Sequence, residues 1–272
     1  MKQPVARLAK LVRDESVADP TGDLHLGVDL GTANIVLAVV DDKDRPIAGR
    51  TLHSTVVRDG IVVDWQGAVR AVSRLRSQLE SQLDHRFTDA AVAIPPAVGE
   101  ATTKIFCNVL EAAGLEAREV VDEPVAAGRA LGISDAAVID VGHGTTGVSL
   151  LQDGQVLLSV DEPTGGHHMT LVLAGALGLG YDDAERIKTS GKQTDLVFGM
   201  VRPVLEKMAS ISARALAGHH PAEVHLVGGA SSFPQAAAIF AGAIGQPIVA
   251  ARHPLFVTPL GTAMSHISRS RS

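Results

Sequence analysis

Val28-Asp29-Leu30-Gly31-Thr32-Ala33-Asn34-Ile35-Val36-Leu37 and Ile139-Asp140-Val141-Gly142-His143-Gly144-Thr145-Thr146-Gly147-Val148 are two copies of one pattern. Each is an apolar strand with an aspartate near its end, a Gly/Thr tight turn and a second apolar strand. The copies stand 111 residues apart, Asp29 to Asp140, which is too long for a solenoid period. The spacing suits two similar halves of βββαβα form in one chain. In the first half, strands are expected over 24–30, 33–40 and 45–54, with short strand signals at Val56-Val57 and Ile61-Val62-Val63. A helix over 66–83, a strand over 89–94 stopped by Pro95-Pro96, a helix over 98–113, a strand over 117–121 and a helix over 124–131 complete it. The second half has strands over 136–141, 145–151 and 155–161, helices near 168–178, 182–190 and 195–217, and a strand over 223–227. A helix after Ser231 and a last one over 259–268 close the chain.

The composition agrees with buried sheet. Hydrophobic residues are 46% of the 272 and aromatic ones only 3%, so the core has to be built from Val, Leu, Ile and Ala. Cys107 is the lone cysteine, which excludes an internal disulfide and a CxxC site; it lies on an apolar helical stretch and reads as a small buried hydrophobe. Lys and Arg number 24 against 30 Asp and Glu, a net −6 with no basic, aromatic-laced surface for nucleic acid. No apolar run approaches the roughly 20 residues of a membrane span, and no signal-peptide core opens the chain. A cytoplasmic α/β protein is expected.

Residues 1–23 stand apart from the repeat, with 24–133 as the first lobe and 134–272 as the second. Val5, Leu8, Leu11 and Val12 recur at helical spacing between Arg7, Lys10 and Arg13. Such a helix can pack as an ordinary terminal helix, lie on a membrane surface or dock a partner.

A Gly/Thr turn between strands lets backbone N–H groups converge on an anion, and Thr32, Thr145 and Thr146 add hydroxyls. Asp29 and Asp140 are too acidic to touch a phosphate, but suited to holding a hydrated Mg²⁺ that bridges phosphates. The pair of turns therefore reads as a two-sided phosphate clamp with the metal between. A third cluster, Gly228-Gly229-Ala230, follows a strand and opens a helix, where backbone can pass close to a ring or phosphate. No GxxxxGK[ST] occurs, and the glycines at 175, 178 and 180 follow a helix. His167 and His168 are adjacent in an expected loop, a poor start for a zinc site that needs three or four converging ligands.

These turns, with Asp122-Glu123-Pro124-Val125-Ala126-Ala127-Gly128, resemble the superfamily of actin, sugar kinases and the seventy-kilodalton heat-shock proteins. The resemblance implies two lobes, each a mixed sheet flanked by helices, closing on ATP or ADP with Mg²⁺. It implies phosphate contacts from Gly31, Thr32, Ala33 and Asn34 on one side and from Gly142, His143, Gly144, Thr145 and Thr146 on the other. It further implies adenosine contacts from Gly228, Gly229, Ala230, Glu185 and Lys188, a ribose-side approach at Gly165 and Gly166, and the last helix packing back towards the first lobe. Relatives usually carry an acidic residue where this chain has Gly147, leaving Glu123 as the candidate for positioning or deprotonating water. His143 replaces a glycine and can touch a phosphate or point outward. A narrower resemblance, carried by His25 to Thr32, Val57 to Val62 and Gly165-Gly166-His167-His168, is to ethanolamine-utilisation proteins described as chaperones and encoded with bacterial microcompartments.

The resemblance implies a nucleotide-binding protein, a slow ATPase or one without turnover, acting as a chaperone or an assembly and reactivation factor. Its expected partner is an ethanolamine-utilisation enzyme or shell protein. Too few residues follow the second lobe for a peptide-binding domain, which favours an adaptor over a foldase. The alternatives are an actin-like scaffold or filament and a small-molecule kinase, for which no further Asp-centred acceptor motif is present.

Overall fold

The two repeated stretches fold as matching hairpins in the computed structural model, which describes residues 3–58, 60–96 and 98–266. In the first half, β1 (Leu24–Leu30), β2 (Asn34–Asp41) and β3 (Pro46–His53) form an antiparallel meander, and a two-residue pair, β4 (Val57–Arg58) and β5 (Ile61–Val62), follows it. Then come α2 (Trp65–Leu83), β6 (Asp89–Ile94), α3 (Glu100–Ala112), β7 (Glu116–Asp122) and α4 (Glu123–Leu131), after an opening helix α1 (Gln3–Arg13). In the second half, β8 (Ala136–Val141), β9 (Thr146–Gln152) and β10 (Gln155–Glu162) repeat the meander. They are followed by α5 (Gly166–Leu177), α6 (Tyr181–Thr189), α7 (Thr194–Ala215), β11 (Val224–Val227), α8 (Ala236–Ile244), β12 (Ile248–Ala250) and α9 (Val257–Ala263). The sheet orders are β3-β2-β1-β6-β7 and β10-β9-β8-β11-β12, the same mixed topology twice.

Both faces of each sheet are covered, which is why β2 reads as an unbroken apolar run. Its side chains alternate. Leu37 and Val39 join Val72, Leu75 and Leu79 of α2 and Phe106 and Leu110 of α3 on one face. Ala38 and Val40 face the other way, into a core shared with Val138 and Leu151 of the second sheet, Ala127 and Ala130 of α4, and Val257, Leu260 and Ala263 of α9. That shared core joins the lobes. In the second lobe Ala137, Ile139 and Val148 pack against α5, α7 and α8 through Met169, Leu173, Val201, Leu205 and Phe240.

The opening helix is a packed terminal helix. Leu8 is fully buried, and Val5, Leu11 and Val12 are nearly so. A Cβ at Gly49 of β3 would sit 2.7 Å from Val12 Cγ2 and 2.9 Å from Leu8 Cδ1, so the missing side chain there admits the helix. Its apolar face is covered by its own lobe and is not available to a membrane or a docking partner. The last helix spans Val257–Ala263, starting earlier and ending earlier than expected, and residues 267 and 268 lie outside the described residues. It packs between α4 and β1. The helix expected after Ser231 is α8, and the Gly228-Gly229-Ala230 cluster itself opens only a single 3₁₀ turn, Gly229–Ser231.

Candidate functional site

The two glycine turns face a cavity of about 610 Å³ between the sheets, within the size range of nucleotide and cofactor pockets. Gly31, Thr32, Ala33 and Asn34 line one wall, and Gly142, His143, Gly144 and Thr145 line the opposite one. The Gly142 N–H donates to Thr145 O at 3.0 Å and closes the second turn. Gly228, Gly229 and Ala230 line the cavity beside them. Gly228 has φ +85°, and a Cβ there would lie 2.2 Å from Asp140 Oδ1, so only glycine lets the third turn rest on the end of β8.

Carboxylates form the floor. Asp29 near the end of β1, Asp140 near the end of β8, and Glu123, the first residue of α4, all line the cavity. Burial and the neighbouring Asp140 push Asp29 up to about 7. Burial and Asp161 push Asp140 up to about 6, while the Thr258 hydroxyl, donating at 3.5 Å, pulls the other way. Burial, then Asp29, Asp140, Asp161 and Asp122 in turn, raise Glu123 well above the usual carboxylate range. Crowded carboxyls of this kind hold protons until a cation arrives. Asp29, Asp140 and Glu123 offer carboxylate oxygens, the donor type that suits a hard, hydrated cation such as Mg²⁺.

Sequence reasoning missed Asp161. It lies on β10 directly opposite Gly147, which is itself opposite Asp140. The Asp153-Gly154 turn marks a hairpin, but a bulge at Leu157 shifts its register by one residue and brings Asp161 to that position. A bulge leaves no mark in apolar periodicity.

On the side formed by α6, Glu185 and Lys188 also line the cavity. They pair with each other at 2.7 Å, and Lys188 Nζ donates to Gly166 O at 2.8 Å and Thr170 Oγ1 at 2.7 Å. Tyr181 was a second omission: its hydroxyl joins His143 Nε2 at 2.9 Å and His167 Nδ1 at 2.8 Å. Burial and the Lys188 charge lower His143 to about 4, so it presents a neutral imidazole on the cavity wall instead of pointing outward.

Three expected contacts fall elsewhere. Thr146 is fully buried in β9, and its hydroxyl donates to Thr164 O at 2.6 Å, away from the cavity. Gly165 and Gly166 are buried beneath the second turn and do not line the cavity: a Cβ on Gly165 would meet His143 O at 2.5 Å, and the Gly166 N–H donates to Gly142 O at 2.9 Å. These glycines seat α5 against the second glycine turn. His167 and His168 belong to the first turn of α5 and not to a loop.

A family model described as Hsp70 protein matches residues 66–177. Ethanolamine utilization protein EutJ of Salmonella typhimurium is 41% identical over 263 residues, 96% of this chain and 92% of that protein. The chain belongs to the EutJ family. The crystal structure of EutJ from Carboxydothermus hydrogenoformans matches with a TM-score of 0.92 at 39% identity, over 97% of this chain and 98% of that one. MreB5 of Spiroplasma citri, solved bound to ADP, matches with a TM-score of 0.72 at 17% identity, over 89% and 95% of the two chains, a likeness of fold alone. The fold is thus actin-like and Hsp70-like. Among the described residues no helix is long and apolar enough to cross a membrane.

The crowded floor gives this EutJ-family chain a specific pH dependence. Asp29, at about 7, keeps much of its proton at pH 6.5, where the unfolded chain has already released it. Stability conferred by that proton is lost as pH rises through the folded value. His143 acts oppositely, but only below its unfolded value near 6.5. Between pH 6.5 and 8 the metal-free protein should therefore lose about 2 °C of melting temperature. Added Mg²⁺ should restore more at pH 8 than at pH 6.5. A flat or rising melting curve across that window would reject the shared-proton floor.

Proposed function

We propose that the chain binds ATP and ADP with Mg²⁺ between its lobes and works as a slow nucleotide-dependent switch, an assembly or reactivation factor in ethanolamine utilisation. The observation that carries this reading is the pair of glycine turns facing each other across the cleft, with Asp29 and Asp140 beneath them and Glu123 between. The bound ADP of MreB5 lends support through the fold the two proteins share.

In this reading the backbone N–H groups of the two turns hold the phosphates from opposite sides. Asp29 and Asp140 would hold the hydrated cation through their carboxylates. Bound Mg²⁺ supplies the positive charge that ionises the floor and neutralises the phosphates. Glu123, first residue of α4 and lining the cleft, would orient the attacking water with its carboxylate. The lobes meet at α4 and α9, so a change of closure angle alters the outer surface that a protein partner reads. The expected partner is an enzyme or shell protein of the microcompartment.

Calorimetric titration of ATP and ADP with Mg²⁺, with phosphate release followed in the same samples, tests the reading. Glu123→Gln should leave ATP affinity within about threefold and reduce turnover by roughly 100-fold or more. Turnover unchanged in that variant would remove Glu123 from its role, and absence of nucleotide binding in the unmodified protein would overturn the reading itself.

A further inference from the structure

The lobe II meander presents a row of three residues across neighbouring strands: Asp140 on β8, Gly147 on β9 and Asp161 on β10. Directly paired residues of adjacent strands project to the same face. Asp140 and Asp161 therefore stand on one face with a residue lacking a side chain between them. Two strand spacings separate their Cα atoms by roughly 10 Å. The carboxylate of Asp161 leans into that gap, since the position a Cβ of Gly147 would take is 3.5 Å from Asp161 Oδ1. Asp161 lines the same cavity as the phosphate turns and is close enough to raise both Asp140 and Glu123. Ser149, the next residue of β9 on this face, lines the cavity too and shares a 2.9 Å hydrogen bond with Ser159, which ties β10 to β9 beside Asp161.

We propose that Asp161 is a second lobe II carboxylate of the cation site, receiving the water shell of the nucleotide's Mg²⁺ together with Asp140 across the space that Gly147 leaves open. The proposal rests on the nucleotide reading above and adds a residue to it. A hydrated Mg²⁺ is a wide, rigid octahedron whose waters need acceptors on several sides. Asp29 supplies one from lobe I and Asp140 one from lobe II. Asp161 arrives from the edge strand of its sheet, a direction that neither of the others covers. Its role is that of a positioning residue, acting on metal-bound waters and not on the phosphates. The bulge at Leu157 is the device that delivers it: with Leu157 paired in regular register, Asp161 would stand opposite Thr146 and project to the other face.

The test is calorimetric titration of ATP into the full chain, once in excess Mg²⁺ and once in EDTA. Asp161→Asn should keep the EDTA affinity within about twofold and lose roughly tenfold of the gain that Mg²⁺ confers, the scale for removing an outer-sphere partner of a metal. Adding Gly147→Asp to that variant should recover the gain, because a carboxylate grown from 147 enters the same gap on the same face and its Cβ meets ordinary contact distances. Asp161 faces the open cleft, so Asp161→Ser serves equally where the Asn variant is poorly behaved. A full Mg²⁺ gain in Asp161→Asn, or an equal loss in EDTA and Mg²⁺, overturns the proposal while the nucleotide reading stands. ATP binding by the unmodified chain with no Mg²⁺ gain overturns it as well. No ATP binding under either condition brings down the nucleotide reading and this proposal together.

Discussion

Asp140→Asn is expected to weaken Mg-ATP binding by about 100-fold or more, and Asp29→Asn to do the same from the other lobe. Each carboxylate stands below a glycine turn, and each is raised in the empty cleft by burial and a carboxylate neighbour. Neutralising either one removes an anchor for the water shell of the cation, and a cation held from one lobe only cannot draw the two turns onto the same phosphates. The ligand-free protein should melt at an unchanged or higher temperature, since one member of a repelling set has gone. Weak binding with unchanged stability separates this outcome from a folding defect. Calorimetry with Mg²⁺ decides it, and near-normal affinity in either variant would mean that the clamp is not two-sided. Asp161→Asn should give the smaller loss.

Most of this fold was legible because its decisive features are local. The apolar runs of β1 and β8 end at Asp-x-Gly turns and those of β2 and β9 follow them, and the 111-residue repeat places those turns at equivalent positions in two halves. Asp29, Asp140 and Glu123 could be found because each sits within a residue or two of a turn or helix start. Features set by contacts distant in sequence were not visible. The register that brings Asp161 to the cleft depends on one bulged residue, and Tyr181 meets His143 across 38 residues. Gly165 and Gly166 looked like ligand-facing glycines, and what they approach closely is the backbone of the second turn. The apolar stripe on α1 has the same pattern whether it covers a partner or its own lobe, and only Gly49, 37 residues beyond Val12, decides between them. The three-residue strand β12 is too short, with Val249 and Ala250 exposed, to carry an apolar signal.

Gly261→Ala should be among the most damaging single-methyl changes available to this chain, with a loss of about 3 kcal/mol and roughly 8 °C in melting temperature. A Cβ at 261 would lie 1.7 Å from Ala126 O and 2.4 Å from the Ala126 carbonyl carbon, so α9 and α4 are in backbone contact at that point. On its other side α9 meets β1, where a Cβ on Gly27 would come within 2.3 Å of Ala263 N. The helix is wedged between the two, and no flexible side chain can yield. A methyl group has to force α4 and α9 apart by more than 1 Å, on the scale of van der Waals contact. The displacement would not stay local. Glu123 begins α4, and Thr258 of α9 reaches Asp140, so separating these helices moves the water-orienting carboxylate relative to the cation-holding one. Nucleotide affinity should therefore fall in Gly261→Ala even at temperatures where the variant remains folded. Gly242→Ala is the matched control: it adds the same methyl within α8, where nothing lies within 4 Å, and should be neutral or stabilising by about 0.5 kcal/mol. Equal melting temperatures for Gly261→Ala and the unmodified protein would show that the helices joining the lobes do not touch, and the switch proposed for them would lose its mechanical basis.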